Sequence, residues 1–525
     1  MLLAGGAMLS RVLGAVYRIP LTRLLGSYGM GLYGAGYTIY VTLLSVATVG
    51  INVAISKLMA EKLARRDEEG ARRVFVVSSV LLAAVGFVAA AALALTAMPL
   101  ALHTQRNPDA YYSILALSPA VFLAALQGSY RGYFQGYQQM FHPAASQVIE
   151  QFFRVASLLV LAYVLLPLGL PVAAGGAAFG AAVGAALGLA YLLWAYYATR
   201  RERARPPLPA SLAARVRPDG VGTIVRRVFA LAVPISIAGV VIPVMNLVDL
   251  FVVPTRLQAI GFSVVRSTEL YGQLSQMAGA LVNLPAVVSY GIHTSLVPAI
   301  SEAQAVGDRS ALHGRTSSGL RATLLVALPA AVGLWLLATP VSGLLYRVPE
   351  AGVPLSALSF GVVFLMLQMT TSGVLQGLGR TDIPVRNLIT GAVVKSALAW
   401  VLTGNPTLNI RGAAFSTVAG FMVAAALNVW AVYRMVGFRV DVGGAVLKPL
   451  TASAVMGLAV HLGFPRLEAL MGSDLATLVS VAVGGGVYGL VLLLVGGVGE
   501  RDFSLIPRVG PRLWRLLKGL GLARG

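Results

Sequence analysis

The sequence predicts an all-α integral membrane protein. About fourteen transmembrane helices are expected, as two pseudo-symmetric six-helix lobes plus two C-terminal helices. Composition, apolar runs and an internal duplication carry that expectation. Of 525 residues, 57% are hydrophobic and 11% charged, and mean hydropathy is +0.80. A soluble domain carries roughly 25% charged residues, so this chain lacks the polar side chains to cover a water-facing surface. Cysteine is absent, which excludes disulfides, thiolate metal sites and cysteine nucleophiles. The five histidines (His103, His142, His293, His313, His461) form no HxxxH pair, so no zinc site is expected.

A helix crosses the bilayer core in about 20 residues. Apolar runs of suitable length occupy 2–24, 33–56, 74–98, 111–136, 146–166, 173–198, 228–252, 272–298, 319–342, 353–378, 387–403, 411–433, 447–464 and 475–498. Arg11 and Arg18 interrupt the first run, so it is expected to be a span and not a cleavable signal peptide. Basic residues cluster between alternate runs, as at Lys57, Lys62, Arg65, Arg66, Arg72 and Arg73, whereas loops 166–172 and 403–410 contain none. This bias is expected to put both termini in the cytoplasm. It also assigns the net charge of +21 to an anionic inner leaflet, with no nucleic-acid partner. The resulting organisation is an N-terminal six-helix lobe (1–200), a basic cytoplasmic linker (201–227), a C-terminal six-helix lobe (228–436), two more helices (437–500) and a tail (501–525). Leucines at helical spacing among Arg508, Arg512, Arg515 and Lys518 predict that the tail lies as an amphipathic helix on the inner leaflet.

The chain contains itself twice. Arg131-Gly-Tyr-Phe-Gln-Gly136 followed by Pro143 matches Ser372-Gly-Val-Leu-Gln-Gly377 followed by Pro384, and a basic residue follows at the same offset, Arg154 or Lys395. Gly176-Ala-Ala-Phe179 then matches Gly412-Ala-Ala-Phe415. Six helices per repeat keep the halves parallel in the membrane, the arrangement of transporters that rock two lobes about a cavity. Glycines four apart, Gly128, Gly132 and Gly136, then Gly176, Gly180, Gly184 and Gly188, are expected to seat neighbouring helices closely.

A charge at mid-membrane costs roughly 2.5–3.5 kcal/mol on insertion scales, so intramembrane charges are functional candidates. Arg11 and Arg18, seven apart, share one stripe of the first helix; Arg23 lies near the outer end and can snorkel to water. Arg131 and Arg154 add two cations to the N-terminal lobe. Arg154 stands four residues after Glu150, the favourable order for an intrahelical pair. A cavity lined by guanidinium groups selects an anion, and phosphate oxygens match their planar fork. Asp249, in Met245-Asn-Leu-Val-Asp-Leu-Phe251, is a candidate cation or proton site, with a salt bridge to Lys395 as the alternative.

Several motifs carry a family resemblance. Ser10-Arg-Val-Leu-Gly14, Arg18-Ile-Pro-Leu21, Leu25-Gly-Ser-Tyr-Gly-Met-Gly-Leu-Tyr33, Ser146-Gln-Val-Ile-Glu-Gln151, Leu296-Val-Pro-Ala-Ile-Ser301, Leu375-Gln-Gly-Leu-Gly-Arg380 and Asn409-Ile-Arg-Gly-Ala-Ala414 accompany the repeat motifs. From residue 1 to about 500 the chain resembles the polysaccharide-biosynthesis branch of the multidrug/oligosaccharidyl-lipid/polysaccharide (MOP) exporter superfamily. Within it, the chain is similar to stage V sporulation protein B and MurJ-like lipid II flippases. The resemblance implies a monomeric, non-enzymatic flippase that moves an undecaprenyl-pyrophosphate-linked glycan, the peptidoglycan precursor lipid II, by alternating access. It also implies that Arg11, Arg18 and Lys57 line the cavity. Gln273, in Tyr271-Gly-Gln-Leu274, stands where relatives carry a cavity arginine. No cofactor is implied beyond sodium or proton coupling, for which Asp249, Asn387 and Thr417 are the matching candidates. The alternatives are a flippase for another polyprenyl-linked polysaccharide, a cation-coupled multidrug exporter, and a membrane-embedded glycosyltransferase, for which the outer loops show no catalytic constellation.

Overall fold

The computed structural model describes residues 13–14, 16–200, 219–437 and 442–498. Arg11, linker residues 201–218 and the tail 501–525 lie outside the described residues. Those described are helical apart from short turns, and no strand occurs among them. Hydrocarbon forces this outcome, because a helix satisfies its own backbone polar groups where water is absent.

Eleven described helices are long and apolar enough to cross a membrane, or twelve if Pro349–Leu358 and Gly361–Gly377, bent by 49°, form one crossing. The two longest, Arg18–Ala64 and Val442–Leu494, have 47 and 53 residues, against about 20 for one crossing. Each contains one non-helical glycine, Gly26 (φ 64°, ψ −173°) or Gly472 (φ 77°, ψ 163°). Positive φ is cheap only without a Cβ. Divided there, the described segments follow the apolar runs in order from 33–56 onward; most of the first run, 2–24, lies outside the described residues.

The chain forms two compact units, Met1–Gln276 and Met277–Gly525. In the first, α1 (Arg18–Leu44) runs through a π-helical stretch (Ser45–Val49) into α2 (Gly50–Ala64). Then come α3 (Glu68–Leu95), α4 (Ala97–Thr104), α5 (Ala110–Ala116), α6 (Ser118–Gly136), α7 (Phe141–Leu165), α8 (Leu170–Arg200), α9 (Val221–Ala259) and α10 (Val264–Gly272). The second holds α11 (Gly279–Ala305), α12 (Arg309–Leu336), α13 (Ala338–Tyr346), α14 (Gly352–Leu358), α15 (Gly361–Gly377), α16 (Asp382–Thr403), α17 (Ile410–Val436) and α18 (Lys448–Leu494).

On α3, Val74, Phe75, Leu82 and Leu93 are buried while Val80, Phe87, Val88 and Leu95 stand exposed. A helix apolar on every face needs apolar surroundings outside as well as inside. The core of the first unit joins Ile55, Leu58 and Met59 of α2, Val74 and Phe75 of α3, Phe134 of α6, and Ile224 and Val228 of α9. In the second, Leu296 and Ile300 of α11 meet Leu312 and Leu320 of α12, Val374 and Leu375 of α15, and Val432 of α17.

The sequence repeat recurs in the packing of each unit. On α6, a Cβ at Gly132 would fall 2.9 Å from the Asn52 carbonyl oxygen, and one at Gly136 2.8 Å from Met59 Cβ, both on α2. On α15, a Cβ at Gly373 would fall 3.1 Å from the His293 carbonyl oxygen, and one at Gly377 2.7 Å from Ile300 Cβ, both on α11. Gly184 of α8 seats against Arg154 Cβ (2.7 Å) as Gly420 of α17 seats against Lys395 Cβ (2.8 Å). The paired cations thus occupy matching positions beneath matching glycines.

The unit boundary falls at 276, beyond the linker where the sequence places the lobe boundary. Helices α9 and α10 belong to the first unit for a local reason. A Cβ at Gly272 would lie 2.6 Å from both the Gly31 nitrogen and the Ser27 oxygen, so α10 touches α1 backbone to backbone. Tyr271 and Thr38 hydroxyls add a 3.1 Å hydrogen bond, and Asn107 Nδ2 donates to Thr268 Oγ1 at 3.2 Å. Where α9 begins, Lys62 binds Asp219 (2.9 Å) and Asp67 (3.2 Å), and Arg227 binds Glu61 (2.7 Å). Lys62 thereby holds the Asp219 carboxyl below its usual range.

Gly272→Ala is expected to lower the thermal midpoint of the detergent-purified protein, at a cost of about 1–3 kcal/mol for overpacking. Gly291→Ala, on α11 with nothing within 4 Å of the new methyl group, is expected to leave it unchanged or raise it. Equal melting of the two variants would contradict the α1–α10 contact.

Candidate anion-binding site

Helix α1 carries Tyr33, Tyr37 and Tyr40 at i, i+4 and i+7, which places them on one face. The Tyr33 and Tyr37 rings stack, with centroids 5.7 Å apart and planes 10° apart, and Tyr40 continues the ladder 6.3 Å from Tyr37. A 2.9 Å hydrogen bond between the Tyr17 and Tyr33 hydroxyls anchors its N-terminal end. Arg154 reaches this ladder from α7, its Cζ 5.0 Å from the Tyr37 ring centroid. Arg18 follows Tyr17 directly, and Tyr17, Tyr33 and Tyr37 are electrostatic neighbours of both guanidiniums.

Arg154 is 9% exposed, and its Nη2 has no hydrogen-bond partner among the described residues. The Arg18 Nε is likewise buried with none among the described residues, while its Nη1 makes a long 3.4 Å contact to the Gln276 carbonyl and its guanidinium also interacts with the Tyr17 hydroxyl. A buried polar group normally finds a partner. Two guanidiniums with donors left over, beside electron-rich ring faces, are equipped to take an anion with several acceptor oxygens.

The intrahelical Glu150–Arg154 pair expected from spacing does not form. Glu150 Oε2 instead accepts from Arg131 Nη2 at 2.7 Å, and Arg131 Nε donates to Ser146 Oγ at 3.0 Å. With side chains 17% and 18% exposed, Arg131 and Glu150 form a mostly buried α6–α7 ion pair. Helical i, i+4 pairing contributes only about 0.2–0.5 kcal/mol, which an interhelical, hydrogen-bonded carboxylate easily exceeds. Arg131 is therefore a neutralised strut and Arg154 the available cation.

The remaining candidates separate. Lys57 is an exposed residue of α2. Gln273, 1% exposed, directs its Nε2 to Ser27 Oγ at 3.4 Å, beside the break at Gly26, and its buried Oε1 has no partner among the described residues. Asp249 is half-buried on α9. The proposed sodium ligands of the second unit do not converge. Asn387 Nδ2 donates to Asn428 Oδ1 (2.9 Å), and Asn428 Nδ2 donates to Ser372 Oγ (3.1 Å). Thr417 lies eleven residues before Asn428 on α17, about 16 Å along the axis, and its hydroxyl donates to the Ala413 carbonyl one turn back. Asn387 and Thr417 therefore cannot share one ion here. Among the described residues no group of three His, Cys, Asp or Glu could hold a metal.

The tyrosine ladder is not distinguished by its sequence pattern. Its spacing is visible in Tyr33-Gly-Ala-Gly-Tyr37-Thr-Ile-Tyr40, but aromatic side chains at helical spacing ordinarily just fill a core. The deciding contact comes from Arg154, 117 positions after Tyr37 in the chain.

Glu150→Gln is expected to lower the thermal midpoint more than Arg154→Gln, because it strands Arg131 as a buried cation, a loss of about 3–5 kcal/mol for a fully buried pair and less here. The double variant Arg131→Gln/Glu150→Gln is expected to recover part of the loss. A larger drop for Arg154→Gln would contradict this partition of charge.

Residues 1–304 match the family described as polysaccharide biosynthesis protein, and residues 276–401 match the MatE family. Stage V sporulation protein B of Bacillus subtilis (strain 168) is 26% identical over 511 residues, covering 97% of each chain. The lipid II flippase MurJ of the same organism is 27% identical over 513 residues, covering 92% of each. Among solved structures, an inward closed lipid II flippase MurJ superposes with a TM-score of 0.69 at 16% identity, covering 93% of this chain and 97% of its own. An inward-facing multidrug resistance MATE family transporter gives 0.68 at 16% identity, covering 82% and 94%. With more than half its length matched, the chain belongs to the polysaccharide biosynthesis protein family, and its fold is that of the MOP exporter superfamily.

Proposed function

We propose that this protein is a flippase that carries an undecaprenyl-pyrophosphate-linked glycan, lipid II foremost, from the inner to the outer leaflet of a bacterial cytoplasmic membrane by alternating access. The observation that carries the proposal is the pair of a half-buried Arg18 and a buried Arg154 beside the tyrosine ladder, each with a buried donor that no described residue accepts. Such a site suits a diphosphate, the anionic link between the polyprenyl chain and the glycan in an undecaprenyl-pyrophosphate-linked substrate. The relatives named MurJ and stage V sporulation protein B support the same substrate class. The residues present ask for no covalent chemistry. Guanidiniums replace water around the head group while the polyprenyl tail stays in lipid, and a change in lobe conformation does the transport. The chain acts as a monomer with both termini in the cytoplasm.

Gln273 in place of a cavity arginine removes one charge from head-group recognition and leaves a polyprenyl-linked glycan other than lipid II as the second substrate. The cationic character of this site weighs against export of cationic drugs, which calls for carboxylates facing the cargo. Sodium or proton coupling falls to Asp249, with Asn387 and Thr417 no longer in one shell.

In a flippase-depleted bacterium, Arg18→Ala and Arg154→Ala are each expected to abolish growth rescue while membrane abundance is unchanged, and mass analysis of co-purified lipid is expected to show the polyprenyl diphosphate lost. Full rescue by both variants would refute the proposed function. Asp249→Asn is expected to remove the sodium or pH dependence of flipping; an unaltered ion dependence would dismiss Asp249 as the coupling group.

A further inference from the structure

The geometry points to Tyr37 as a positioning residue: its ring holds the Arg154 guanidinium at the anion site, and Tyr17 and Tyr33 hold the ring. The inference rests on the proposed binding of a diphosphate at Arg154. A guanidinium on a long side chain has many rotamers, and ordering it costs conformational entropy. Helix α7 supplies no carboxylate to do that ordering, because Glu150 is occupied by Arg131. Among the described residues, the ring that the Arg154 head group lies over is Tyr37, 5.0 Å from its Cζ, with Tyr33, Tyr17 and Tyr40 as further electrostatic neighbours.

An aromatic face is suited to this task. It attracts the cation through the ring quadrupole without neutralising it, whereas a carboxylate would cancel the charge that the diphosphate needs. It also leaves N–H donors in the guanidinium plane unused, as the unpartnered Nη2 shows. The ring is fixed in turn. Tyr33, 1% exposed, stacks on Tyr37 at 5.7 Å and is pinned by the Tyr17 hydroxyl at 2.9 Å. Gly184 of α8 sets the height of the Arg154 backbone, its built Cβ falling 2.7 Å from Arg154 Cβ. Backbone and head group are therefore located independently, the first by a glycine and the second by a ring.

The test uses full-length protein in detergent and isothermal titration with farnesyl diphosphate, with farnesol as the uncharged control. Tyr37→Phe, which keeps the ring, is expected to bind within about twofold of the unmodified protein, and Tyr37→Trp as well or more tightly. Tyr37→Leu is expected to bind roughly two- to thirtyfold more weakly, the range of a cation–π contact. Arg154→Gln is expected to lose at least as much, and adding Tyr37→Leu to it to cost nothing further, because the ring then has no cation to hold. Where Tyr37→Leu fails to fold by thermal melting, Tyr37→Met takes its place with the same expectation.

Positioning by Tyr37 is overturned if the ringless variant binds as the unmodified protein does, if Tyr37→Phe is as weak as Tyr37→Leu, or if the Tyr37 and Arg154 losses simply add. Those results leave Arg154 as a diphosphate ligand. If Arg154→Gln binds farnesyl diphosphate unchanged, the proposed substrate site itself is wrong.

Discussion

The seam between α7 and α8 governs much of the first unit. Gly176, Gly180, Gly184 and Gly188 face α7 in succession, and a Cβ at Gly180 would sit 2.7 Å from Leu158 Cβ. In lipid no hydrophobic force pulls two apolar helices together, so association relies on close packing that small residues permit. The seam fixes the axial height of α7, and with it Glu150 and Arg154, one turn apart. At that height Glu150 reaches Arg131 on α6 while Arg154 reaches Tyr37 on α1. A larger residue at Gly184 would displace both contacts at once, since its Cβ would meet the Glu150 carbonyl at 2.5 Å and Arg154 Cβ at 2.7 Å.

The two units show what is shared and what is specialised. Both seat a basic residue beneath a glycine of the next helix, Arg154 under Gly184 and Lys395 under Gly420. The polar groups between the equivalent helices differ. Arg131, Ser146 and Glu150 form a charged bridge in the first unit, and Ser372 and Asn387, at the positions matching Arg131 and Ser146, join Asn428 in an amide and hydroxyl network in the second. The ion pair ties α6 to α7 directly, whereas the amide network links α15 and α16 through Asn428 of α17, and Arg154 stands near the ion pair alone. An amide network holds helices at lower desolvation cost. The extra charge in the first unit is thus more than packing requires, which supports the proposed anion-binding role.

The fold was largely legible in the sequence because hydrocarbon leaves few choices. The apolar runs, the repeat and the glycine stripes each translate into a helix or a helix contact. Residue-level partners were less legible. Spacing alone favoured Glu150 with Arg154, and only the packing of α6 on α7 reveals Arg131 as the true partner, 19 positions away. Asn387 and Thr417 looked compatible as oxygen ligands, yet Asn387 is bound to Asn428, more than ten residues along α17 from Thr417. Helix pairing decides both cases, and no local pattern contains it.

Tyr37 illustrates the same limit with a functional consequence. A cation left in hydrocarbon costs several kcal/mol unless something other than water solvates it. A carboxylate would meet that cost fully and abolish affinity for an anion; a ring face meets it in part, at about 2 kcal/mol when desolvated. On the proposed function, the residual cost is removed when an anion arrives, so the site is most stable when filled. A transporter needs that imbalance to be modest, because a cargo bound too strongly is not released. Partial solvation by tyrosine, in place of neutralisation by Glu150, sets Arg154 in that intermediate range.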